Sequence, residues 1–234
     1  MAAAPEKTDT NEKSEKLSIP ERLIESIQKN RKALLVGFIV IIAVLAALII
    51  GFTVKDKVLA KAYSQIDAFD VRYDDLKTYI GGEDSSKQAE VAALLEELSL
   101  FAAKKSGFAS ARAYTLCANI YADQKKWSEA ENAWSMAAKK AAKSYLEPFS
   151  LYNAAIAAEE LGKIDTAIGY YKQALDFENG FIFAAKAQFS IGRLEESRNK
   201  KDAALEAYRN LVSKWPGDQV WANLAQSRII VLLD

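Results

Sequence analysis

From residue 109 onward the chain matches itself at a fixed offset, and this repetition limits its fold more than any other feature. Ala130, Ala167 and Ala204 are 37 residues apart, and so are the aromatics Trp134, Tyr171 and Tyr208. The same shift relates Ala118 to Ala155 to Gly192, and Ala137 to Ala174 to Leu211. A period of this size belongs to a stacked supersecondary unit that buries its apolar face only against its neighbours. Two antiparallel helices pack closely where a small residue on one meets a bulky residue on the other, and these columns supply both. The spacing predicts first helices at 109–124, 147–161 and 181–199 and second helices at 127–142, 164–177 and 201–214. Turns fall at Gln124-Lys125-Lys126, Gly162-Lys163 and Asn199-Lys200, which are polar or glycine as tight turns require. Residues 218–233, with Val220, Leu224, Ala225, Ile229 and Leu232, read as the closing helix of such a stack.

These columns resemble the tetratricopeptide repeat. Ala118 and Tyr121 match its pattern in the first unit. Ala155, Gly162, Ala167, Tyr171 and Ala174 match in the second, and Gly192, Ala204, Tyr208 and Pro216 in the third. The period is 37 rather than 34, Glu195 stands where an aromatic is expected, and Leu211 replaces an alanine. The resemblance implies an α-solenoid of helical hairpins whose first helices line a concave, peptide-binding groove. By the repeat register, Arg112, Thr115, Asn119, Phe149, Tyr152, Asn153, Lys186, Phe189, Ser190 and Arg193 point into that groove. In tetratricopeptide domains that hold a chaperone's carboxyl terminus, two asparagines and three cations clamp the carboxylates. Asn119, Asn153 and Lys186 match three of the five positions, but Thr115 and Ser190 stand where the other two cations belong. Each missing charge-assisted bond forfeits roughly 1.5 to 3 kcal/mol. A polar face with aromatics for apolar peptide side chains is therefore the favoured reading of the groove.

Composition removes most catalytic chemistry. The chain has no histidine and a single cysteine, Cys117. Without histidine there is no Ser-His-Asp or Cys-His nucleophile system and no His-ligated metal, and one thiol builds neither a disulfide nor a thiolate cluster. Cys117, beside Ala118 at the helix crossing, reads as a packing residue. No Gly-x-x-x-x-Gly-Lys or Gly-x-Gly-x-x-Gly loop occurs. Adjacent acidic pairs at Asp74-Asp75, Glu96-Glu97, Glu159-Glu160 and Glu195-Glu196 diverge by about 100° on a helix and read as solvated faces. The four tryptophans, Trp127, Trp134, Trp215 and Trp221, read as core. With 31 basic and 31 acidic side chains, nothing points to nucleic acid. We expect no enzyme, no cofactor and no metal.

Residues 33–54, ALLVGFIVIIAVLAALIIGFTV, run for 22 positions without a charge. At about 1.5 Å per residue they reach roughly 33 Å, enough to cross a hydrocarbon core of about 30 Å. Fifteen of them are Leu, Ile, Val or Phe, so insertion is favoured by about 4 to 9 kcal/mol. The apolar region of a cleaved signal peptide is about 7 to 15 residues, shorter than this one, although Ala60-Lys61-Ala62 looks like a cleavage site. Residues 13–32 carry six Lys and Arg against four in 55–74, which places the amino terminus in the cytoplasm. Ala43, Ala47 and Gly51 form a small-residue stripe where another helix can approach, a route to self-association.

The remaining segments divide accordingly. Residues 1–17 are too polar to bury a core and are expected to be a disordered cytoplasmic tail. Ser18 and Glu21 have capping-box spacing, Pro20 suits a first turn, and Leu23, Ile24 and Ile27 share a face, so 18–32 reads as a short amphipathic helix on the membrane surface. Residues 55–107 read as a helical pair: Val58, Ala62, Ile66, Phe69, Tyr73, Leu76 and Ile80 form one stripe, and a second helix is capped by Ser85 and Gln88. Three repeats (108–217) and a capping helix (218–234) complete an all-α chain without sheet.

A short arm, one span and a helical repeat domain look like the single-span periplasmic tetratricopeptide proteins that accompany the bacterial Sec translocon. That resemblance implies an inner-membrane protein with its carboxyl-terminal domain in the periplasm, bridging the translocon and periplasmic chaperones. Two other layouts fit the same residues: a self-associating organiser of the envelope, and an adaptor whose repeats face the cytosol.

Overall fold

A computed structural model of the chain describes residues 19–177 and 180–234. The expected tail (1–17) and the Ser18 cap lie outside the described residues. Helices make up nearly all of what is described, and no strand occurs among the described residues. The chain forms two compact units, Met1–Val58 and Leu59–Asp234.

Helix α1 runs Ile19–Leu76 and belongs to both units. It contains the apolar run, which is long and apolar enough to cross a membrane and whose side chains are exposed. The amphipathic segment and the span are one helix interrupted at Asn30, whose φ −107° and ψ 16° leave the helical region. The Asn30 side-chain amide donates to the Ser26 carbonyl at 3.1 Å across this break.

In the larger unit, α1 ends at Leu76, followed by a short 3-10 turn (Lys77–Tyr79) and by Gly81 in the left-handed region at φ +74°. Helix α2 spans Ser85–Lys104. Its cap is Asp84 and not Ser85: the Asp84 carboxylate accepts from the Ser86 and Lys87 backbone amides at 3.0 and 3.1 Å. A carboxylate at this position satisfies two of the helix's orphan donors, which leaves Gln88 free to donate to the Tyr79 carbonyl at 2.5 Å. Then follow α3 (Gly107–Asp123), α4 (Trp127–Lys140), α5 (Leu146–Glu160), α6 (Ile164–Leu175), α7 (Ala184–Ser197), α8 (Lys201–Lys214) and α9 (Gln219–Leu233). Each packs on the next in order, as stacked hairpins do.

The 37-residue columns occupy equivalent places. Ala118, Ala155 and Gly192 are buried, as are Ala130, Ala167 and Ala204, Ala137, Ala174 and Leu211, and the aromatics Trp134, Tyr171 and Tyr208. The turns repeat atom for atom. Lys125, Gly162 and Asn199 all adopt φ between 58° and 69°. The residue after each donates its amide five positions back: Lys126 to Tyr121, Lys163 to Ala158 and Lys200 to Glu195, at 2.8, 2.9 and 3.0 Å. This is the Schellman closure, which spends otherwise orphaned carbonyls and turns the chain sharply into the next helix.

Two expectations need correction. The first helix of the third unit begins at Ala184, not at 181. Gly180 sits at φ +75°, Ala184 donates to the Phe181 carbonyl, and the Phe181 ring is buried, so the segment turns inward before the helix starts. On α9, Ala222 and Ala225 face the core with Ile229 and Leu232 half-buried, but Val220 and Leu224 are exposed. The helix presents its alanine side to α8, and these two residues lie off that side.

Candidate interaction face

The first helices α3, α5 and α7, joined by α9, carry every residue that the repeat register assigns to the groove. Two kinds of chemistry divide it. The arginines are spent on intramolecular carboxylates, and the aromatics form a connected tract.

At the α3 end the Arg112 guanidinium bonds Asp67 at 2.7 Å and also Asp70, both on α1. Asn119 and Asp123 of α3 flank the Tyr73 hydroxyl, which donates to Asp123 at 3.4 Å. Burial first, and then the Asp123 charge, push the Tyr73 phenol up to about 12. Thr115 turns its hydroxyl back to the Ala111 carbonyl at 3.0 Å, within its own helix. The α1 residues 59–76 thus occupy this end of the face, and Arg112 and Asn119 serve the packing of α1 on α3.

The second and third units repeat that device. Glu159 of α5 accepts from the Tyr171 hydroxyl at 2.6 Å and from Arg193 of α7. One repeat on, Glu196 of α7 accepts from the Tyr208 hydroxyl at 3.0 Å and from Arg228 of α9 at 3.2 Å. Hydrogen bonding to Arg228 holds the Glu196 carboxyl below its usual range. Desolvation, with the glutamate second, raises Tyr171 and pushes Tyr208 up to about 12. These two glutamates are therefore half-buried and bonded within the protein, where the sequence reading put them on solvated faces. Each ties its own hairpin together and binds the next first helix. A cleft of about 440 Å³ lined by Phe189, Arg193, Glu196, Ser197, Tyr208 and Arg228 lies beside the second triad. Both of its guanidinium groups already have a carboxylate.

Phe149 and Tyr152 of α5 meet Phe181 and Phe183, which precede α7. Ring centroids are 5.4 and 5.3 Å apart for Phe149 with Phe181 and Phe183, and 5.9 and 5.4 Å for Tyr152 with the same two. Tyr145 and Phe108 extend the tract by steps of 6.5 and 5.7 Å. On its other side the Lys186 ammonium lies over Tyr152, Phe183 and Trp221 at 5.6, 6.0 and 6.0 Å, and Phe189 stacks on both Tyr208 and Trp221 at 5.3 Å. Asn153 is half-buried on α5, and Ser190 is buried on α7 beside Tyr171. Tyr145 is 64%, Ile182 71% and Phe183 37% exposed, so this tract has an open surface.

The face brings together Phe149, Tyr152, Lys186 and Phe189, while Arg112, Thr115 and Asn119 are engaged elsewhere. Sequence reasoning missed Phe181 and Phe183, which it placed inside a helix; Trp221, read as core, packs half-buried against the core of α8 and α9. Among the described residues no group of three acidic or thiol side chains is arranged to hold a metal. Cys117 is buried, and desolvation pushes its thiol up to about 11.

Residues 149–176 and 186–218 match the family model of the tetratricopeptide repeat. A TPR repeat-containing protein of Treponema pallidum (strain Nichols) is 34% identical over 154 residues, an alignment covering 65% of this chain. The chain spans 64% of that relative's length. Among solved structures, BtubC (BKLC) from P. vanneervenii aligns with 73% of this chain and 90% of its own, at 17% identity and a TM-score of 0.43. Two segments between residues 149 and 218 thus match the tetratricopeptide repeat, an architecture that implies a protein–protein interaction scaffold.

Proposed function

We propose that this protein is anchored in a membrane by residues 33–54 and uses the face of α5, α7 and α9 to capture polypeptide segments bearing apolar or aromatic side chains. The observation that carries this reading is the connected aromatic tract from Tyr145 through Phe183 to Phe189 and Trp221, exposed at Tyr145 and Phe183 and half-buried at Phe189 and Trp221, on a face whose arginines are already neutralised. Aromatic rings offer large contact area at little entropic cost, so such a surface selects for apolar side chains. A carboxylate clamp is disfavoured by the same geometry, because Arg112 and Arg193 are ion-paired within the chain and Lys186 sits over rings.

The finer reading is that of an ancillary factor of protein translocation, or a recruiter of periplasmic chaperones, at a bacterial inner membrane with Leu59–Asp234 in the periplasm. It is supported by the excess of Lys and Arg before the span and by the layout of one span ahead of repeats. Tethering raises the effective concentration of the face near its partners, so individually weak contacts suffice.

The test is photocrosslinking in intact cells, with a photoreactive amino acid at Phe183 or Phe189 and at the exposed Gln173 as control. The reading expects polypeptide adducts from positions 183 and 189 and none from 173. Equal adducts from all three positions, or none from any, refute it. Protease protection of Leu59–Asp234 in spheroplasts tests the orientation; digestion only after permeabilisation would place the repeats in the cytosol.

A further inference from the structure

The stretch before the span differs from it in chemistry and is separated from it by a break. Leu23, Ile24 and Ile27 recur at three- and four-residue spacing and are each more than half exposed. Lys29, Arg31 and Lys32 follow within four positions, all exposed. Within the cation group, between Lys29 and Arg31, lies Asn30, outside helical dihedrals, with its amide already bonded to the Ser26 carbonyl. That bond satisfies the backbone where the helix kinks, so the segment on either side can change direction at little cost.

Geometry leaves one occupant for this apolar face. At about 1.5 Å per residue, Ile27 lies within roughly 9 Å of Ala33, where the apolar run begins, and Leu23 within roughly 15 Å. The headgroup layer is about 5 to 8 Å thick on each side. A face so near the hydrocarbon, on a helix kinked at Asn30, is at the depth where interfacial helices lie. Three cations in four residues at the same level meet the phosphates of anionic lipids.

We infer that residues 19–32 form an interfacial element: Leu23, Ile24 and Ile27 enter the boundary between headgroups and acyl chains, Lys29, Arg31 and Lys32 gather anionic phospholipid, and Asn30 is the elbow. This rests on the reading that 33–54 spans a bilayer.

The test uses the full-length protein in vesicles of phosphatidylcholine and phosphatidylglycerol. An environment-sensitive thiol label is placed through Ile24→Cys, Ile27→Cys or, on the other side of the helix by register, Glu25→Cys; the buried Cys117 stays unlabelled, with the unsubstituted chain as control. The expected result is quenching of positions 24 and 27 by lipids brominated near the headgroup, and of position 25 by aqueous iodide. Brominated phosphatidylglycerol should outcompete brominated phosphatidylcholine by about fivefold to tenfold, as a cation cluster at an anionic surface requires. The preference should vanish in the K29Q/R31Q/K32Q variant, while apolar-face burial persists. Equal iodide access at 24, 25 and 27, or no lipid preference at positions 24 and 27 with Lys29, Arg31 and Lys32 in place, overturns the inference. Extraction in alkaline carbonate separates the two failures. A protein that washes off the membrane defeats the span and the inference together, whereas one that stays integral with position 24 in water defeats the inference alone.

Discussion

Gly192 is the one column residue that differs from its equivalents for a reason visible in atomic distances. Ala118 and Ala155 hold the same place in the first two units. A Cβ at Gly192 would lie 2.5, 2.7 and 2.8 Å from three atoms of the Tyr208 ring. Ordinary carbon contacts are about 3.5 to 4.0 Å, so relief needs a movement of about 1 Å. Tyr208 cannot supply it easily, being fully buried with its hydroxyl held by Glu196 at 3.0 Å. Overpacking of this kind costs about 2 to 3 kcal/mol, from which the usual helix gain of about 0.5 to 1 kcal/mol for replacing glycine by alanine must be subtracted. Gly192→Ala is therefore expected to destabilise by about 1 to 2 kcal/mol, lowering Tm by about 2 to 8 °C for a unit of this size. The assay is thermal unfolding of the full-length chain in detergent, followed by circular dichroism at 222 nm. A double-mutant cycle with Tyr208→Leu isolates the contact, and a coupling of at least about 1 kcal/mol is expected. A Gly192→Ala protein that melts higher than the parent, as an unhindered helical glycine would, refutes the reasoning.

The remaining predictions draw on the turn, the phenols and the thiol. Lys125→Gly places at φ 58° the residue that Gly162 already provides one repeat on, and should stabilise by about 0.5 to 1 kcal/mol in the same melting assay. Tyr73 and Tyr208 have folded-state pKa values raised from 10.0 to about 12. Their contribution is fully present below pH 10 and is lost as pH rises through 12, which denaturation midpoints and phenolate absorbance at 295 nm will show; Tyr208→Phe should flatten part of that loss. Glu196 behaves oppositely. Its depressed carboxyl contributes above about pH 4.5 and loses that contribution as pH falls, and Arg228→Ala should remove much of this acid sensitivity. Cys117 should resist alkylation at neutral pH until denaturant is added.

The 37-residue offset made the hairpins legible because their packing needs particular sizes at fixed places, and size is written in the residue type. Ala130, Ala167 and Ala204 are interchangeable in the sequence and in the core. The αL turn residues share the same offset yet were harder to see, since Lys125, Gly162 and Asn199 have in common only a backbone angle. Glu159 and Glu196 carried a signal that was passed over: they are 37 apart, as are Tyr171 and Tyr208, and each Glu–Tyr bond spans 12 positions. In the first unit Ala122 and Trp134 stand at those two positions, and the Trp134 indole NH has no partner there, consistent with the loss of both halves together. The fate of Arg112 was not legible, because its partners Asp67 and Asp70 lie more than 40 residues away on a helix with no repeat register. Nor was the Phe181–Phe183 turn, where a helical reading of three apolar residues is overridden by Gly180 before them and by the rings of α5 beneath them.

That ion-paired ladder bears on what the face can select. An arginine of one first helix meets a carboxylate of the preceding one between α3 and α1, between α7 and α5, and between α9 and α7. Each pair is worth little as stability where it is exposed, but each cancels a charge that would otherwise attract an acidic ligand. With the guanidinium groups neutralised and the Lys186 ammonium over rings, no strong field of one sign remains on the face to steer partners. Association through the aromatic tract should then depend weakly on salt and strongly on apolar contact, the reverse of a carboxylate clamp. Measured between 50 and 500 mM NaCl, the yield of crosslinks from Phe183 should change by less than about twofold if the tract does the binding, and fall steeply if free cations do.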